Sequence, residues 1–391
     1  MPTDVSDFKK VYRKAIESSF PPILTLGLGE GSGFRRIEFR ATDLKLRYGT
    51  NPHQSFAAYV PINDPLLSIG KLELLKGGKD GLSLTNLQDM SQALNVLKYF
   101  FNSPAAVIMK HLNPCGFKVR TQEESLEQLF KIARKCDERS AFGGVAGFNF
   151  EVDAPTAEAI MEEFIECVIA PSYTPEALEV LRRYEGTKKL NNAIRVGRVT
   201  NIDKIPKFVG DNTGDIFNIR TLTDGTLTLE TPYLTMIRSS SDFIIDPMIP
   251  NKDPAKNNGE DYVVKTQPTK QQLSEGIVSW YLNINVRSNG VVIVKDGAAI
   301  AVGTGEQERV GAVEKALEKA IKKGHAEKLE GSVMSSDGFF PDRDSIDTAA
   351  KYGVKAIVWP AGSMKDSEII TAANEHKIAL IATLERCFLH I

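Results

Sequence analysis

Two stretches, Ala105-Ala-Val-Ile-Met-Lys110 and Gly290-Val-Val-Ile-Val-Lys295, decide how this chain folds. Each is an apolar run with no charge until its closing lysine, the composition of a strand covered on both faces. Each follows a segment with helical spacing. Before the first, Leu87, Met90, Leu94, Leu97 and Phe101 recur on one face, and before the second a helix is predicted near 270–281. Another pair of landmarks keeps step with them. Cys167-Val-Ile-Ala-Pro171 leads to Pro175-Glu-Ala-Leu, with proline in a helix's first turn, and Ala356-Ile-Val-Trp-Pro360 leads to Asp366-Ser-Glu-Ile-Ile. The lysines lie 185 positions apart and the prolines 189. Landmarks held in nearly one spacing predict an α/β fold made by internal duplication of an α/β/α unit.

Between these landmarks the pattern predicts a helix near 124–135, a strand over 144–150 and a helix near 156–164, with Asn113-Pro-Cys-Gly116 as a turn. Residues 1–45 read as an N-terminal arm, with a short polar helix over 4–18 and an alternating strand over 34–40. Gly27-Leu-Gly-Glu-Gly-Ser-Gly33 sits between them. A phosphate cradle needs a helix after the glycines, and here a strand follows, so the segment reads as a turning connection. Asp246 to Gly259 is dense in proline, asparagine and lysine and reads as a connection between domains. The expected boundaries are an arm over 1–45, a first unit with its connecting segment over 46–243, a linker over 244–265 and a second unit over 266–391.

Composition narrows the function. The 391 residues carry 48 Lys and Arg against 50 Asp and Glu, a net charge of −2. That balance excludes a protein held to nucleic acid by bulk electrostatics. No apolar run approaches the ~20 residues of a membrane span, and the first residues lack a signal peptide's apolar core. A cytoplasmic protein with no membrane or nucleic-acid partner is expected. Cys115, Cys136, Cys167 and Cys387 lie far apart with no C-x-x-C pair, so neither a disulfide framework nor zinc is expected. A zinc deaminase also fails on ligands, because Pro114-Cys115 is followed by Gly-Phe-Lys with no second cysteine.

Several short segments carry chemistry. Lys110-His111 ends a buried strand, where open α/β sheets bind ligands, and histidine suits proton transfer near neutral pH. Arg47-Tyr48 precedes a Gly/Asn-Pro turn, and arginine's fork of donors suits phosphate or carboxylate. Ser140-Ala-Phe-Gly-Gly144 lets a ligand approach backbone closely. Arg309 falls at a predicted helix start, a place suited to an anion. Phe339-Phe340 lies among Asp, Gly and Pro turns, where a ring offers a platform for a flat heterocycle. Taken singly, each segment also has a purely structural reading.

Together they resemble one family, the 5-aminoimidazole-4-carboxamide ribonucleotide (AICAR) formyltransferases of purine synthesis. The matching blocks, in order, are LRYGTNPHQ, KHLNPCG, SAFGG, ECVIAPSYTPEAL, VRSNGVVIVKDG, GTGEQERV, SSDGFFPDRD, WPAGSMKD and TLERCFLHI, from about residue 45 to the end. The resemblance implies two cytidine-deaminase-like α/β/α three-layer units and a homodimer with active sites at the subunit interface. It implies transfer of a formyl group from 10-formyltetrahydrofolate, a co-substrate, to the 5-amino group of AICAR. By the same resemblance Lys110 and His111 match the catalytic pair. Arg47, Tyr48, Gly143, Glu166, Asn289, Arg309, Phe339 and Arg386 match AICAR-binding positions. Val310, Asp344, Ser363 and Met364 match positions lining the folate site. No metal ligand is implied, and any monovalent cation is left open.

The chain also departs from the family. Asp342 stands where Phe is common, and Gly290 and Gly338 stand where Ala is common. No segment before residue 45 is long enough for the IMP cyclohydrolase domain that precedes this unit in the usual bifunctional protein. A stand-alone formyltransferase is therefore expected, with a separate cyclohydrolase acting after it. Two other readings stay open: AICAR formylation from a different donor, such as a modified pterin or formyl phosphate, and a non-catalytic purine-nucleotide-binding protein.

Overall fold

Both apolar runs are strands, buried throughout except at the lysine. The computed structural model describes residues 20–62, 69–78, 80–183, 191–214 and 216–390, so the helix predicted over 4–18 lies outside the described residues. The strands, in chain order, are β1 (Ile23–Leu28), β2 (Arg35–Ala41), β3 (Tyr59–Pro61), β4 (Glu73–Lys76), β5 (Ala105–Lys110), β6 (Asn113–Val119), β7 (Gly144–Phe148), β8 (Glu151–Val152), β9 (Ile165–Ala170) and β10 (Ser172–Tyr173). They continue as β11 (Arg195–Arg198), β12 (Asn218–Thr221), β13 (Leu227–Glu230), β14 (Met248–Ile249), β15 (Tyr262–Val263), β16 (Val291–Lys295), β17 (Ala298–Gly303), β18 (Val333–Ser336), β19 (Ala356–Trp359) and β20 (Ala379–Ala382). The helices are α1 (Leu84–Leu97), α2 (Leu126–Cys136), α3 (Glu138–Ala141), α4 (Ala154–Met161), α5 (Pro175–Arg182), α6 (Lys270–Asn283), α7 (Arg309–Lys322), α8 (Asp344–Lys351) and α9 (Asp366–His376).

The chain forms two compact units. One takes the described residues through His111, then Ser125–Phe130 and Ser140–Ile205. The other takes Leu112–Glu124, Lys131–Arg139 and Pro206 onward. In the first unit the strand order is β4-β11-β9-β7-β5. β7, β9 and β11 run parallel, while β5 is antiparallel to β7 and β4 to β11. Helix α1 starts at a capping box, with Ser83 Oγ accepting from Asn86 N and Asn86 Oδ1 accepting from Ser83 N. Its Met90, Ala93, Leu94 and Leu97 are buried. Gly147 of β7 lets this helix come close, since a Cβ there would lie 2.8 Å from that of Ala93. Outside this sheet, β1, β2 and β3 form an antiparallel meander.

In the second unit the order is β6-β17-β16-β18-β19-β20. β16 is antiparallel to β17 and β18, and β18, β19 and β20 run parallel. Val291 and Ile293 join an apolar cluster with Ala312, Val313, Leu317 and Ile369, while the alternate Val292 and Val294 are equally buried. Both faces of β16 are thus covered, as its unbroken apolar run predicts.

Setting aside α3 and the two-residue strands, α1-β5-β6-α2-β7-α4-β9-α5-β11 has the same order of element types as α6-β16-β17-α7-β18-α8-β19-α9-β20. The strand directions agree too. β5–β7 is antiparallel with β7–β9–β11 parallel, and β16–β18 is antiparallel with β18–β19–β20 parallel.

One predicted turn is misplaced. Asn113-Pro-Cys-Gly116 begins β6, and the chain reverses two residues earlier, at His111 and Leu112, which have φ of 53° and 65°. Two left-handed residues complete the reversal, so the asparagine and proline enter a strand. The Pro/Asn-rich segment is itself ordered, with β14 pairing antiparallel to β15.

Candidate active site

Lys110 ends β5 half-buried, and its Nζ donates to the carbonyls of Phe142 (3.0 Å) and Gly143 (2.7 Å). The loop that carries these carbonyls is shaped by Gly143, whose φ is 67° and whose N–H donates to Phe164 O at 2.7 Å. A Cβ at 143 would stand 3.1 Å from Phe164 Cε1 and 3.2 Å from Lys110 Nζ. His111, next in the chain, is exposed. Because β5 is antiparallel to β7, Lys110 sits beside the amino ends of β7 and β9. The carboxyl-edge rule of parallel sheets therefore does not locate it.

The start of α1 gathers three other candidates. Arg47 N donates to Leu82 O (2.8 Å), and Leu84 N donates to Tyr48 O (3.0 Å). The Arg47 guanidinium lies 4.8 Å from the centroid of the Tyr48 ring. Glu166, half-buried on β9, accepts from Asn86 Nδ2 at 3.1 Å. Thus Arg47, Tyr48 and Glu166 are all tied to the residues that cap one helix.

The second unit has its own cluster. Arg309, the first residue of α7, is 7% exposed and pairs with Asp337, which is 0% exposed. Burial pushes the Arg309 guanidinium down to about 10, so it stays a cation at neutral pH. Asp337 Oδ2 accepts from Gly290 N at 2.9 Å, and the Asp337 carbonyl accepts from Cys387 N at 3.0 Å. Arg309 and Arg386 both lie over the Phe388 ring, at 5.6 and 4.8 Å from its centroid. Asn289 Nδ2 donates to the carbonyls of Glu306 (2.9 Å) and Gln307 (3.1 Å). Asn289, Arg309 and Arg386 are therefore brought together. The phenylalanine pair divides: Phe340 is fully buried in the core and Phe339 is exposed.

Val310 follows Arg309 on α7, and Asp344 is exposed at the start of α8. Ser363 and Met364 occupy the loop after β19, which Asp366 shapes by accepting from Gly362 N (2.7 Å) and Ser363 N (3.1 Å). Burial raises the Asp366 carboxyl above its ordinary value. The ion pair of Lys365 with Asp342 joins this loop to the turn before Asp344. A hydrogen bond from Lys365 holds Asp342 below the usual carboxylate range. Among the described residues no group of His, Cys, Asp and Glu is arranged to hold a metal ion, and no helix is long and apolar enough to cross a membrane.

The family described as the AICARFT/IMPCHase bienzyme matches residues 11–319. The chain belongs to it. Among curated relatives, the bifunctional purine biosynthesis protein PurH of Persephonella marina is 36% identical over 357 residues, 90% of this chain and 60% of that protein. The PurH of Sorangium cellulosum is 36% identical over 346 residues and that of Nostoc punctiforme 35% over 345, each match covering 88% of this chain and 58% of the relative. The chain thus spans about three fifths of the length of the curated relatives it matches.

For this AICARFT/IMPCHase family member, sequence reasoning missed two carboxylates. Asp337 is one. Glu385 is the other, accepting from Thr235 Oγ1, from Tyr233 Oη (3.2 Å) and from Met236 N (2.9 Å), directly before Arg386. Asp337 follows strand β18 in a segment read only as turn-rich, and nothing in its neighbours reveals that the carboxylate is buried.

Proposed function

We propose that this family member transfers a formyl group from 10-formyltetrahydrofolate to the 5-amino group of AICAR, giving formyl-AICAR and tetrahydrofolate in purine biosynthesis. The observation that carries the reading is the seating of the Lys110 ammonium on two loop carbonyls, with His111 exposed beside it. The AICAR amine is conjugated with its ring and is a poor nucleophile. His111 removes its proton as the nitrogen attacks the formyl carbon. The carbonyl becomes an oxyanion that Lys110 stabilises. The bond from that carbon to the folate nitrogen then breaks, and the nitrogen takes up a proton. Arg47 and Arg386 hold the nucleotide phosphate, Tyr48, Gly143 and Phe339 contact the nucleotide, and Glu166 accepts from the ribose hydroxyls. Asn289 and Arg309 hold the carboxamide, and Val310, Asp344, Ser363 and Met364 line the donor site. The working form is a homodimer in the cytoplasm with active sites at the subunit interface.

The two halves, near 46–243 and 266–391, are duplicated cytidine-deaminase-like units. The shared element order and strand directions support this, as do two lysines in matching places. Lys295, at the end of β16, donates to Gly331 O at 3.1 Å, and Gly331 has φ of 72°. Lys110 and Gly143 make the same arrangement at the end of β5.

The Lys365–Asp342 ion pair favours a second reading, in which the donor is another formyl carrier of more polar character. Purified protein given AICAR and 10-formyltetrahydrofolate should form formyl-AICAR, and His111→Asn, which tolerates the left-handed backbone, should lose about 10²–10⁴-fold in turnover. Full activity in that variant removes the assigned base. Turnover with formyl phosphate or a modified pterin, but not with 10-formyltetrahydrofolate, replaces the donor.

A further inference from the structure

A buried arginine–aspartate pair calls for a reason. Replacing such a pair by apolar residues of similar size is often neutral or stabilising, so stability does not by itself explain its presence. Asp337 divides its oxygens, Oδ1 meeting Arg309 Nη1 and Oδ2 accepting from Gly290 N at 2.9 Å. The backbone bond fixes the plane of the carboxylate, and the carboxylate in turn fixes the guanidinium.

A Cβ on Gly338 would lie 2.6 Å from Phe388 Cε1 and closer still to Arg309 Nη2. Both are ends of side chains, so the alanine common at this place in the family is met by a small shift of guanidinium and ring. Phe388 completes the seat, with the guanidinium over its ring. The same aspartate also sets the register of the surrounding chain. Its N–H donates to Gly290 O at 3.1 Å, beside Asn289, and its carbonyl accepts from Cys387 N at 3.0 Å, beside Arg386.

We propose that Asp337 and Phe388 form a seat that holds the Arg309 guanidinium in the orientation that binds the nucleotide substrate, with Asp337 acting as a positioning residue. The nucleotide role rests on the formyltransferase reading above. The seat itself does not.

The test uses the full chain and three variants, Asp337→Asn, Phe388→Leu and Arg309→Gln. Phenylglyoxal modification, mapped by peptide mass spectrometry, reads whether Arg309 is held. The wild-type residue should react slowly, and Asp337→Asn and Phe388→Leu should each speed the reaction about 10-fold or more. Calorimetric titration with AICAR and steady-state kinetics read the consequence. Misplacing a binding group by about 1 Å costs on the order of 100-fold, so AICAR affinity should fall about 10–100-fold. KM for the formyl donor should stay within about twofold. Asp337→Asn combined with Arg309→Gln should bind AICAR no worse than Arg309→Gln alone. Phe388→Leu removes the ring from the guanidinium's other side and keeps the test decisive if Asp337→Asn does not fold. Wild-type reactivity of Arg309 in the folded variants overturns the seat, and equal loss of affinity for both substrates overturns its positioning role. A wild-type protein that does not bind AICAR overturns the nucleotide role, while the arginine mapping still decides whether the seat exists.

Discussion

Replacing Gly143 by alanine tests the proposed role of Lys110 through the backbone that seats it. At φ of 67° an L-residue pays about 1–2 kcal/mol that glycine does not. The new Cβ would also stand 3.1 Å from Phe164 Cε1 and 3.2 Å from Lys110 Nζ, so ring or ammonium must give way by a few tenths of an ångström. Lys110 Nζ is held by bonds of 2.7 and 3.0 Å, and disturbing a charged hydrogen bond costs about 1.5–3 kcal/mol. Gly143→Ala should therefore lose about 1–2 kcal/mol of stability and about 10–100-fold in kcat, since each tenfold equals about 1.4 kcal/mol of barrier. The molecule supplies its own control. Gly331 has φ of 72°, and a Cβ there would lie 3.0 Å from Lys295 Nζ. Gly331→Ala should lose similar stability and keep kcat within about twofold. Urea denaturation and single-turnover formyl transfer measure the two effects. Equal losses of activity in both variants, or full activity in a destabilised Gly143→Ala, would refute the assignment of Lys110.

Asp342→Phe should lower KM for 10-formyltetrahydrofolate and leave KM for AICAR within about twofold, because it replaces a salt-bridged carboxylate with an apolar wall; a raised donor KM in steady-state assays counts against this. The Arg343 guanidinium, with His376 adding to it, holds the Asp347 carboxyl at about 2, below its ordinary 3.8. A lowered carboxylate pKa stabilises the fold above the ordinary value, and that contribution is lost as pH falls from 3.8 toward about 2. Asp347→Asn should be less stable at neutral pH by at most about 1 kcal/mol, since the group is partly exposed. Its urea midpoint should fall less than the wild type's between pH 4 and about 2, and identical slopes would remove Asp347 from the acid response.

The sheets were legible because a strand covered on both faces has no polar positions to disguise it, as Ala105–Lys110 and Val291–Lys295 illustrate. The turn after β5 was not. His111-Leu112 lacks turn chemistry, whereas Asn-Pro-Cys-Gly carries it and drew the reversal two residues too far. At the matching place after β16 the sequence has Asp296-Gly297, both with positive φ, the ordinary pair for a two-residue hairpin. Of the candidate site, Lys110 and Arg309 were readable from their places at element ends. Their partners were not, because the Phe142 and Gly143 carbonyls are backbone and Asp337 meets Arg309 from 28 residues away.

His111 and Leu112 also bear on how such a protein could change under selection. Both hold left-handed backbone that costs an ordinary residue about 1–2 kcal/mol. An Asn-Gly pair would relieve much of that cost and would remove the proposed base in the same step. Breeding this chain for heat resistance alone would favour such replacements and, on the proposed assignment of His111, would enrich proteins that are sturdier and inert. Any screen for stabilised forms therefore has to score turnover in every round, or it will select against the residue proposed as the base.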